Sequence, residues 1–140
     1  MDALEQTWQV SAEIGEGLTE HQWSAPTRCS GWGVAATYAQ HSAFPLALAT
    51  PLPGGSVGEP LTAVEVLRRL NAPGGVAYAM AEAVADSAAE DTAGVLRREL
   101  VERFGVQGPA AVVGLRLADL VDVVPWPASG GVVSLAEIRN

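Results

Sequence analysis

With 140 residues, 49% of them hydrophobic and 17% charged, the chain has the length for one sizeable core and too little charge to stay disordered. Its 16 acidic against 8 basic groups give a formal charge of -8, which excludes the counterion-driven affinity of a nucleic-acid binder and disfavours an anionic membrane surface. Every basic residue is Arg and the single cysteine is Cys29, so Schiff-base lysine chemistry and an internal disulfide are both excluded.

The opening MDALEQTW has no basic start followed by an apolar run, and no stretch reaches the roughly 18 to 20 apolar residues of a membrane span. A cytoplasmic protein is expected. From Asp2 to about Gly17, the residues Leu4, Trp8, Ser11, Ile14 and Leu18 recur at steps of three and four, which predicts an amphipathic helix. A second helix is predicted from near Gly33 through VAATYAQHSAFPLALA, ended or kinked by Pro45. After the loop PLPGGSVGEP, Thr62 and Glu65 have the spacing of a capping box and Leu61 with Val66 that of a hydrophobic staple. Asn71-Ala72-Pro73-Gly74-Gly75 should break this helix before the Ala-rich GVAYAMAEAVADSAAE. Asp91 to Phe104 is again helical, with Val95, Leu96, Leu100 and Val101 apolar, Arg97, Arg98, Glu99 and Glu102 exposed, and Gly105 as its stop. A last helix opens at Gly108-Pro109 and runs to Pro125. No strand alternation and no repeat persists, so the expected fold is all-α, a four-helix bundle over residues 1-126 with a loose C-terminal tail over 127-140.

Three stretches carry a family resemblance. Leu18-Thr19-Glu20-His21-Gln22-Trp23, followed by Pro26-Thr27-Arg28-Cys29-Ser30-Gly31-Trp32, is similar to the LTxxQW…PTxCxGW opening of the DinB-like family that includes mycothiol-dependent maleylpyruvate isomerases. Phe104-Gly105 with Gly108 resembles that family's turn before the final bundle helix, and Leu115 to Val121 resembles the start of its last ligand-bearing stretch. The resemblance implies a helical bundle with a divalent metal held by a histidine eight residues after the tryptophan. A second histidine follows an acidic and three apolar residues in the final helix. Here the first position is Gln40, with His41 next to it. The second is Val123 counted from Asp119, or Trp126 counted from Asp122. His21 and His41 are the only histidines, so the expectation is a domain that keeps the fold and uses no metal or other cofactor. A site rebuilt from His41 with Asp119 or Asp122 is the alternative.

Thr37, Tyr38, Gln40 and His41 span just over one helical turn, so His41 can share an inward face with Thr37 or with Tyr38. His41 suits a general acid or base near neutrality and Tyr38 a hydrogen-bond donor; the plain alternative is a histidine packed at a helix end. Asp119 lies among Leu and Val, where it either pairs with Arg116 or keeps its proton in a pocket. Gln40 could hold a ligand's carbonyl or hydroxyl, or face water. Trp32 anchors the base of the second helix or lines the pocket, and Trp126, between two prolines, could form a lid or a dimer contact. Cys29 reads as a buried structural thiol.

The expected catalytic set is therefore His41, Asp119 and Tyr38, with Gln40, Thr37, Arg116, Trp32 and Trp126 binding substrate. The expected activity is an isomerisation, cyclisation or related rearrangement of a small molecule in a pocket between helices. A non-catalytic ligand- or partner-binding protein is one alternative, and a metal- and mycothiol-dependent transferase with a shifted site is another. Ala-rich faces would also allow a homodimer.

Overall fold

A computed structural model describes residues 2–49, 58–74, 81–117, 123–126 and 131–134. Most of them are helical: α1 (Asp2–Gly17), α2 (Glu20–Trp23), α3 (Val34–Ala49), α4 (Ala63–Asn71), α5 (Ala81–Gly94), α6 (Arg97–Glu102), a π-helical segment (Arg103–Gln107) and α7 (Gly108–Leu117), followed by the strands β1 (Val123–Trp126) and β2 (Gly131–Ser134). Among the described residues no helix is long and apolar enough to cross a membrane. The chain divides into two compact units, Met1–Thr50 with Ala83–Val113, and Pro51–Glu82 with Gly114–Asn140.

In the first unit the core is Trp8, Ala12, Phe104, Ala111 and Val112, with Leu4, Tyr38, Leu48, Ala49 and Val101 packed against it. The face that α1 buries differs from the expected one. Trp8, Ala12 and Gly15 are buried while Ile14 is 55% exposed. Successive residues are about 100° apart on a helix, which sets Ile14 roughly 120° from Trp8 and keeps Ala12 and Gly15 within about 40° of it. The small residues are chosen over the large one because α1 must lie close to its neighbours. A Cβ on Gly108 would come within 2.9 Å of the Trp8 ring.

Pro45 neither ends α3 nor lies at its edge. The helix continues to Ala49 with Pro45 buried, leaving the His41 carbonyl without the amide that would normally satisfy it. The expected stop at Gly105 is likewise absent. The chain runs on through the π segment, where Phe104 is buried and the Gly108 N–H donates to the Arg103 carbonyl five residues back. Pro109 explains the widening, since it has no N–H for the ordinary bond to the Gly105 carbonyl.

In the second unit, the last helix is not seen to reach Pro125, and the stretch expected as a loose tail contains a strand. Val123–Trp126 pairs antiparallel with Gly131–Ser134, Pro125 opposite Val132. The β-branched valines favour this extended pairing. The Val132 carbonyl accepts from the Leu61 N–H at 2.8 Å, so it faces away from β1. Pro125 therefore sits at a position where no ladder donor is required. Upstream, Thr62 caps α4 by accepting from the Glu65 N–H at 3.2 Å. The Glu65 carboxylate turns instead to Arg68 at 2.6 Å and Arg69 at 3.0 Å, so only half of the predicted box is observed.

Candidate ligand-binding groove

The segment between α1 and α3 is built by local hydrogen bonding. Thr19 and Gln22 make a full capping box: the Thr19 N–H donates to Gln22 Oε1 at 2.8 Å, and the Gln22 N–H donates to Thr19 Oγ1 at 3.3 Å. This box fixes the single turn of α2 and delivers Trp23, 4% exposed, into the protein. Beyond it, Pro26 bridges Gly33 and the Thr27 hydroxyl donates to the Trp32 carbonyl at 2.8 Å. Gly31 adopts a left-handed φ of 80°, a conformation costly to any residue with a Cβ. The PTRCSGW motif is thus a closed turn that aims α3. Trp32 is half-buried at its end, and Cys29 is exposed rather than buried, because the turn puts it at the outer bend.

Tyr38 is committed to the interior of this unit. Its ring meets Trp23 edge-on at 4.9 Å and Phe104 at 5.2 Å between centroids, and its hydroxyl donates to the Ser11 carbonyl at 2.8 Å. Burial, assisted by the charge of Glu16, pushes its pKa up to about 12. The proton expected for a substrate is held by α1. Thr37 likewise donates to the Gly33 carbonyl at 2.9 Å. Gln40 is half-buried, while His41 is exposed on α3 and Arg116 is exposed in the last turn of α7. Asp119 and Asp122 lie outside the described residues, as does the side chain of Trp126. Among the described residues no three His, Cys, Asp or Glu side chains converge as a metal site.

A buried polar link that the sequence reading passed over joins α3, α5 and the π segment. Arg103, its side chain 11% exposed, pairs with Asp91 at 2.6 Å and donates to Ser42 Oγ at 3.3 Å. Ser42 is fully buried and its hydroxyl donates a hydrogen bond to the Ala39 carbonyl at 2.8 Å.

The first unit also carries an open groove of about 620 Å³. It is lined by the buried Trp23 and Gly15, by Gly105, by the apolar Leu18, Val101 and Val106, and by the charged Glu16, Glu20, Glu102, Arg97 and Arg98. The Arg97 guanidinium lies 5.7 Å from the Trp23 ring centroid and pairs with Glu20, whose carboxyl it holds below its usual pKa by direct hydrogen bonding. Arg98 pairs with Glu102 at 3.4 Å. Glu16 has no ion-pair partner among the described residues, and it also lines a neighbouring groove of about 330 Å³ with Glu5, Gln9 and Glu13.

None of the sequence-chosen residues with described side chains lines the larger groove. The signal that could have found it is electrostatic. Arg97 and Arg98 open α6, whose N-cap Leu96 offers no side-chain acceptor, and a helix N-terminus repels cations. Arginines placed there require another reason, which Trp23, Glu20 and Glu102 supply. Compared with protein-family profiles, curated protein sequences and solved structures, the chain matches none.

Proposed function

We propose that this protein is a DinB-like, metal-independent helical domain that binds an uncharged or weakly basic organic molecule in the groove over Trp23. The observation that carries the reading is a buried indole lining a groove of about 620 Å³, within the size range of small-molecule sites. The lining holds three carboxylates against two guanidiniums on a chain of charge -8, a field that attracts cations and repels anions. Val106 is 63% exposed and lines the groove, so Val106→Trp fills the cavity without entering the core. Ligand-observed NMR with a library of amines and neutral aromatics tests the reading. Hits on the native protein should vanish in Val106→Trp at unchanged melting temperature, and hits that survive the substitution would place binding elsewhere.

A catalytic reading, a rearrangement with His41 as the proton-transferring group, needs a substrate held at the exposed face of α3 and not in the groove, which His41 does not line. Exposed, its ring nitrogens can reach a substrate from solvent. Under that reading, turnover of a substrate bound by the chain is lost in His41→Ala while binding to the groove persists. Unchanged turnover in that variant removes His41 from the chemistry.

A further inference from the structure

Resting on the groove as the binding site, but replacing its uncharged or weakly basic ligand by a strongly basic one, we infer that the ligand is a planar organic cation carrying a guanidinium or amidinium group, and that Arg97 occupies its seat in the unliganded protein. Three features of the arrangement lead there. First, Arg97 is in the first turn of α6, where the helix dipole disfavours it; its placement over Trp23 and against Glu20 is what fixes it. A flat delocalised cation over an indole face, with a carboxylate at its edge, is the recognition geometry for guanidinium and amidinium compounds.

Second, the resident is displaceable. The Arg97 and Glu20 side chains are 41% and 81% exposed, and an ion pair this open to water is weak and screened by salt. When Arg97 swings into solvent, both the Trp23 face and the Glu20 carboxylate become available at one end of the groove. Third, Glu16 lines the same groove without an ion-pair partner among the described residues, giving an incoming cation an acceptor that Arg97 does not use. Leu18, Val101 and Val106 cover the apolar body of such a molecule.

The test uses the full chain, benzamidine as the cationic probe and benzamide as its neutral counterpart of nearly the same shape, with affinities read by isothermal titration and NMR. Removing a self-occupying group raises apparent affinity by the reciprocal of the free fraction, about tenfold for a seat free one-tenth of the time. Arg97→Ala, and Arg97→Met as the variant that keeps the apolar stem, should therefore tighten benzamidine by about that factor and leave benzamide unchanged. Adding Glu20→Gln should abolish the gain. Equal binding of both probes, unmoved by Arg97→Ala and Arg97→Met, overturns the cation seat and leaves the groove reading standing. No binding of either probe to any variant overturns both. Weaker benzamidine binding in the Arg97 variants would make Arg97 a direct ligand contact and also overturn the inference.

Discussion

Replacing Gly15 by Ala sets two opposed effects against each other at one atom. Gly15 is in the last turn of α1, where replacing a glycine is worth at most about 1 kcal/mol in helix propensity. The added methyl, however, would lie against the Tyr38 hydroxyl, 2.6 Å from Tyr38 Cζ and 2.7 Å from Val101 Cγ2. Overpacking of this kind costs about 1–3 kcal/mol. Moving the ring also weakens the hydrogen bond to the Ser11 carbonyl, worth about 1 kcal/mol. The net expectation is a loss of about 1–3 kcal/mol, which for a chain of this size lowers the melting temperature by about 3–10 °C. Urea unfolding followed by circular dichroism measures it. Gly114→Ala is the control, because nothing lies within 4 Å of its added Cβ and it should gain about 0.5–1 kcal/mol. If Gly15→Ala stabilises the protein as Gly114→Ala does, the close approach of α1 to Tyr38 is refuted.

Three further outcomes are expected. Tyr38 is pushed up to about 12 from 10, so the fold favours its protonated form; the stability this gives is intact below pH 10 and lost as pH rises toward 12. Tyr38→Phe should remove that alkaline component, read by melting temperature against pH, and should cost about 0.5–1.5 kcal/mol at neutrality through the lost bond to Ser11. Asp91→Ala strands the Arg103 guanidinium beside buried Ser42 and should destabilise by about 2 kcal/mol, less than a fully buried pair because Asp91 is partly exposed; an unchanged urea midpoint would deny the link any structural role. Gly31→Ala forces a Cβ into a left-handed φ of 80° and should cost about 1–2 kcal/mol in thermal unfolding, with Gly31→Asn milder.

Elements governed by neighbouring residues were legible in the sequence. The span of α1, the cap at Thr62 and the break at Asn71–Gly74 follow from local spacing and turn chemistry, and each is found where expected. Long-range packing was not legible. Ile14 is as apolar as an inward residue, yet a close helix approach selects Ala12 and Gly15 instead. The helix start at Gly108-Pro109 is found where expected, because a missing N–H is harmless there, but the π turn just before it, where the Gly108 N–H reaches back to the Arg103 carbonyl, has no signal in local spacing. The Val-rich end was read as helix because its apolar residues fit either period, and the pairing of Val123–Trp126 with Gly131–Ser134 decides the matter. In the groove, Trp23 was visible as part of a motif, but its partner Arg97 is 74 residues away in the sequence. Extending the predicted helix back to Asp91 hid the fact that Arg97 opens one.

The π turn also bears on how this protein can change over evolutionary time. A turn of this kind holds one residue more than an α-helical turn, while the helix on either side keeps its own phase. Shortening the chain by one residue at Gly105 or Val106 should therefore let the turn relax to α, with Val101 and Val112 still directed at the core they share. What would change is the bulge that carries Gly105 and Val106 into the groove wall. A single codon, gained or lost there, is a route by which such a scaffold could reshape what it holds without rebuilding what holds it together.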